Sequence, residues 1–140
     1  MNANLSRFIE AQAKSYSIAL EEIKRGRKRS HWMWYVFPQI KGLGYSSTSK
    51  YYSIENIEEA TEYLNHPILG GRLIQICEEL LKLETNNAYS IFGNPDYIKL
   101  KSSVTLFSQV GDTNPVFVSV LDKFFDGKFD DKTLNLLHIM

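Results

Sequence analysis

The chain is poor in the features that would assign it a class at once. One cysteine, Cys77, cannot form an internal disulfide, and it reads as a small core hydrophobe rather than a nucleophile. The longest apolar run, Trp32 to Phe37, falls far short of the roughly 20 residues that cross a bilayer, and no N-terminal apolar segment resembles a signal peptide. Neither charge sign is in excess, with 16 Lys plus Arg against 16 Asp plus Glu, so no net field draws the molecule to nucleic acid or an anionic membrane. His31, His66 and His138 are scattered and no HxxxH or CxxC spacing occurs, so no metal is expected. No GxSxG turn is present, and Gly70-Gly71 lacks the further residues of a phosphate-cradling loop. A tight turn or close helix packing is the expected use of that pair. No repeat or linker composition divides residues 1–140, and no cofactor fingerprint appears. These absences predict one cytoplasmic domain without membrane partner, metal or cofactor.

What is present is apolar periodicity. Leu5, Phe8, Ile9, Tyr16, Ala19, Leu20 and Ile23 recur at three- and four-residue spacing, predicting one helix, or two with a break near Lys14-Ser15, to about Arg25. Gly26 is a natural stop there. Ser30 and Pro38 bracket a helical turn or two over 31–36, and Gly42, Gly44 and several hydroxyl residues mark 40–52 as a loop long enough to act as a lid. Ser53 is expected to begin a helix carrying Ile54, Ile57, Thr61 and Leu64, and Pro67 to begin another with Leu69, Leu73, Ile76, Cys77 and Leu80 on its stripe. His66 reads as a helix-start residue. A short turn ends at Gly93. Asn94-Pro95-Asp96 and Asn114-Pro115 are helix starts, and Asp130 is a cap for a last short helix. The expectation is an all-α bundle of about six to eight helices with one long Gly/Ser-rich loop.

Chemistry is concentrated in two places. Ser30-His31-Trp32-Met33-Trp34-Tyr35-Val36-Phe37-Pro38-Gln39 holds both tryptophans and follows the basic run Lys24-Arg25-Gly26-Arg27-Lys28-Arg29. So much adjacent apolar area is core, pocket wall or both, because large exposed apolar patches are uncommon on soluble proteins. His31 is either packed and bonded to backbone, or a general acid or base, since its ordinary pKa of about 6.5 lets it act in both states near neutrality. The second place is the helix over 95–110, apolar nearly all round, with Lys101, Ser102 and Thr105 in one sector. Lys101 there reaches solvent, meets an acid, or enters a cavity. Ser102 or Ser103 paired with His31 is a possible nucleophile and base.

The same motifs carry a resemblance. The aromatic block, with Asp96, Lys99 and Lys101-Ser102-Ser103-Val104-Thr105-Leu106-Phe107, with residues 8–12, and with His66-Pro67 and Leu69-Gly70, resembles the bacterial domain-of-unknown-function family 1810 (DUF1810), whose members are sometimes labelled calpastatin. Val104 stands where the family usually has methionine. The resemblance implies a small helical bacterial protein. An inhibitor that folds on its protease is expected to be polar and disordered when free, whereas this chain has an aromatic-rich core.

The leading expectation is a pocket for an anionic, phosphorylated or nucleotide-like small molecule. Trp34 and Tyr35 supply a stacking wall, Lys28 and Lys101 hold the anion, and His31, Gln39, Ser102 and Thr105 orient it. The alternatives are a nucleic-acid-binding module using the run 24–29 and a protein-interaction domain. No spacing encodes the distance between 28–39 and 101–105, the oligomeric state, or any turnover.

Overall fold

The computed structural model describes residues 5–139, which hold nine helices and no strand. They are α1 (Ser6–Lys24), α2 (Met33–Val36), α3 (Ser47–Tyr51), α4 (Ile57–Asn65), α5 (Leu69–Lys82), α6 (Ala88–Phe92), α7 (Asp96–Ser108), α8 (Val116–Phe125) and α9 (Asp131–Ile139). No described helix is long and apolar enough to cross a membrane.

α1 is continuous through Lys14-Ser15 and buries Phe8, Gln12, Tyr16, Ala19 and Ile23 at regular helical spacing. Helix α7 is the buried centre. It packs against α4, α6, α8 and α9, and every residue from Ser102 to Phe107 is buried. Contact on so many sides explains why its sequence has no clean polar face. One hydrophobic cluster links all the larger helices.

Departures from the expected boundaries gather in 40–57. That stretch is a framed loop rather than an open one: Ile40 and Ile54 form a β-bridge, with Lys41 N–H bonded to Ile54 O and Ile54 N–H to Gln39 O, each at 2.8 Å. Within it Ser46 caps α3, accepting from Ser49 N–H. Ser53 does not start the next helix. Ile54 is fully buried in the bridge, and Asn56 caps α4 by accepting from Glu59 N–H. Arg7 pins the loop's far end to α1, donating to Tyr51 O at 2.8 Å and Ser53 O at 2.9 Å while pairing with the buried Glu59 carboxylate. The ninth helix beyond the expected six to eight comes from such single-turn pieces, whose caps are local but whose apolar spacing is too short to read.

Pro67, Pro95 and Pro115 also lie before their helices rather than in them, and α7 starts without a side-chain cap from Asn94. His66 Nδ1 accepts from Ile68 and Leu69 N–H, so this ring serves the start of α5. Asp130 caps α9 as expected, accepting from both the N–H and the hydroxyl of Thr133.

Candidate ligand-binding site

The aromatic block is both core and wall. Trp32, Met33, Val36 and Phe37 are buried, and Trp32, Phe37 and Phe92 form a three-ring cluster with centroids 5.9–6.4 Å apart. Trp34, Tyr35 and Gln39 remain partly exposed. Glu22 on α1 holds the block in place. Its carboxylate accepts from Arg29 N–H, Ser30 N–H, the Ser30 hydroxyl and Trp32 Nε1 at 2.6–3.0 Å. Burial pushes this carboxyl upward, but the four donors outweigh it and bring its pKa down to about 2.

Held this way, the segment 28–39 meets the first half of α7. Lys28 Nζ lies 2.9 Å from Asp96 Oδ2, with both side chains mostly buried. Lys99 approaches the other oxygen of Asp96 at 3.6 Å, and its ammonium sits 5.6 Å from the Trp34 ring centroid. One carboxylate therefore faces two ammonium groups. Lys28 makes the short contact, leaving the Lys99 charge only partly balanced.

Beside Lys99 opens a cleft of about 210 Å³, lined by Gln39, Leu43, Gly44, Ser49, Pro95, Ile98, Lys99, Ser102, Asp130 and Lys132. From α7 it takes residues 98, 99 and 102, together with Pro95 just before the helix, at i, i+3, i+4, i+7 spacing along one face. The bridge and α3 bring the loop to the opposite wall. A Cβ on Gly44 would stand 2.5 Å from the Ser49 Cβ, so only glycine allows that closeness. Lys132 enters from the first turn of α9.

The expected site residues separate into two groups. Lys28, Trp34, Gln39 and Ser102 converge on the Asp96–Lys99 cluster and its cleft. Lys101 does not: two residues from Lys99 is about 200° around the helix, and its ammonium lies 5.9 Å from the Phe125 ring centroid instead. Thr105 is fully buried and accepts from Asp130 N–H at 2.9 Å, which fixes the start of α9 but leaves the hydroxyl away from the cleft. Tyr35 donates to Ser15 Oγ, packs on Tyr52 and receives Gln12 Nε2 at its carbonyl. His31 is exposed and outside the lining. Ser102 Oγ donates to Ile98 O, and neither it nor the buried, unbonded Ser103 hydroxyl meets His31. No nucleophile–base pair is formed. Burial raises the Cys77 thiol, which keeps it protonated in the core.

Lys99, Ser49, Asp130 and Lys132 are cleft residues that spacing alone did not single out as site residues. The available signal was the spacing of Lys99 to Ser102, three apart. A larger hollow of about 540 Å³ lies between the start of α1 and the end of α4, but Glu62 is its one acidic residue and it holds no lysine or arginine.

The fold and cleft define an all-helical domain whose aromatic segment and central helix frame a small, largely apolar cavity that carries two lysines. The chain belongs to the family described as protein of unknown function (DUF1810), which matches residues 2–137. Among solved structures it is similar to the conserved hypothetical protein Rv1873 from Mycobacterium tuberculosis, with 44% identity, 98% of each chain covered and a TM-score of 0.95. Comparison with curated proteins finds no match.

Proposed function

We propose that this domain binds a compact anionic metabolite, a phosphate ester or a carboxylate on a short body, in the cleft between the 39–49 loop and the first half of α7. The observation that carries the reading is the shared Asp96. Its charge is taken up by Lys28 at 2.9 Å, so Lys99 at 3.6 Å and Lys132 outnumber the one acidic lining residue, Asp130, whose carboxylate is directed to Thr133, and the cleft favours an anion. The Gln39 amide offers an N–H donor, the Ser102 oxygen, whose proton goes to Ile98 O, can accept from a hydroxyl on the ligand's body, and Leu43, Pro95 and Ile98 suit a few carbons. At about 210 Å³ the cavity is below the roughly 300–1,000 Å³ of drug-sized ligand sites, so a nucleotide's base would lie outside it, against Trp34. The proposal is one of binding. His31 has no part in it.

The test is thermal unfolding in the presence of inorganic phosphate, small phosphate esters and short carboxylates. A ligand at about a hundred times its Kd stabilises by about 2.7 kcal/mol, a rise of roughly 6–12 °C in Tm for a domain of this size. Lys99→Ala and Gln39→Ala are expected to remove most of the shift, while Lys101→Ala retains it. If Lys99→Ala keeps the full shift, the cleft is not the site.

A further inference from the structure

The six-residue basic run is divided by the fold into two parts with different duties. Exposure alternates along it: Arg27 is exposed, the Lys28 side chain turns inward to Asp96 and is 9% exposed, and Arg29 is exposed again. Gly26, at φ +80°, makes the turn that starts this alternation. Arg25 is paired with Glu21 on α1. Arg27 and Arg29 have no acidic partner among the described residues. They border a groove of about 230 Å³ against α1, lined also by Ile18, Glu21, Glu22 and Arg25, and Ile18 is 49% exposed.

We infer that this groove is a docking surface for an acidic protein segment that presents two carboxylates two residues apart, with an aliphatic side chain beside them. Carboxylates two apart on an extended peptide point to one side at roughly 6.6 Å spacing, and Arg27 and Arg29, exposed on either side of the inward-turned Lys28, present guanidinium groups in the same alternation. Guanidinium groups bind carboxylates through paired N–H donors. Glu22 keeps its negative charge but directs its carboxylate to four neutral donors of the 29–32 segment rather than to a guanidinium, so neither Arg27 nor Arg29 is paired by it. Ile18 supplies the apolar contact. A nucleic-acid backbone fits less well, because the inward turn of Lys28 interrupts the cationic stripe that a continuous run of phosphates would follow.

The experiment uses fluorescence anisotropy with the full chain and fluorescein-labelled hexapeptides. The probe reads glycine, glutamate, serine, glutamate, leucine, glycine; the control has the two glutamates adjacent and is otherwise of the same composition. The expected result is salt-sensitive binding of the probe, several-fold tighter than the control, weakened about tenfold by Arg27→Ala with Arg29→Ala and also weakened by Ile18→Ser. Both arginines are exposed, so the double variant is expected to fold, and circular dichroism checks that it does. Equal binding of probe and control, binding unaffected by the arginine changes, or no binding overturns the inference. Tighter binding of a labelled 12-base-pair duplex than of either peptide overturns it in favour of phosphate recognition.

Discussion

Single residues here derive their roles from what they are bonded to, and Glu22 is the plainest case. Nothing in its sequence context distinguishes it from Glu21, yet it receives four hydrogen bonds, one from the indole of a tryptophan that is 1% exposed. Glu22→Gln removes the charge and half of the acceptor capacity, leaving donors of the 29–32 segment unpaired. We expect a loss of about 1–3 kcal/mol in urea unfolding at neutral pH. The pH dependence follows from the depressed pKa. A carboxyl at about 2 when folded and near its ordinary value of 4.5 when unfolded contributes stability that is present above about 4.5 and is lost as pH falls toward 2. Urea midpoints between pH 5 and 2 should therefore fall more steeply for the native chain than for Glu22→Gln. Parallel curves would show that the carboxylate is not held as the geometry indicates.

The helices meet at points where one atom decides the fit. Gly70 lies in the first turn of α5, and a Cβ there would stand 1.9 Å from the Leu64 carbonyl oxygen at the end of α4. The obstacle is backbone, which cannot rotate away. Gly71, one residue on, is exposed and has nothing within 4 Å of its hypothetical Cβ. Opposite effects are expected from the same chemical change: Gly70→Ala destabilises by about 1–3 kcal/mol through overpacking, while Gly71→Ala stabilises by about 0.4–1 kcal/mol by restricting the unfolded chain. Thermal unfolding of the two variants separates them, and a stable Gly70→Ala protein would contradict the close α4–α5 packing. At this scale the pair was legible as a packing feature in the sequence, but which glycine makes the contact was not.

Across the whole molecule, one apolar cluster runs from Phe8 on α1 through the aromatic block to Leu121 on α8. Helices sharing one core are expected to unfold together, so far-UV circular dichroism and tryptophan fluorescence should report the same transition midpoint. Trp32 is a probe within that core and Trp34 one beside the cleft. Separate midpoints would mean that the 28–39 segment detaches before the helices melt.

The sequence by itself determined the all-helical class, the long helices and many of their starts and stops, because apolar spacing and Asn-Pro or Gly signals act over a few residues. It also marked Lys28, Trp34, Gln39 and Ser102, which share one neighbourhood in the folded chain. Only the tertiary structure decided that Lys99 rather than Lys101 lines the cleft, since both lie on a helix enclosed on several sides and the facing loop selects between them. The same holds for the basic run. Six adjacent residues look like one patch until Asp96, nearly seventy positions away, draws Lys28 inward and leaves Arg27 and Arg29 outside. Charge pairing across that separation depends on the packing of α1, the aromatic block and α7, and no local spacing records it.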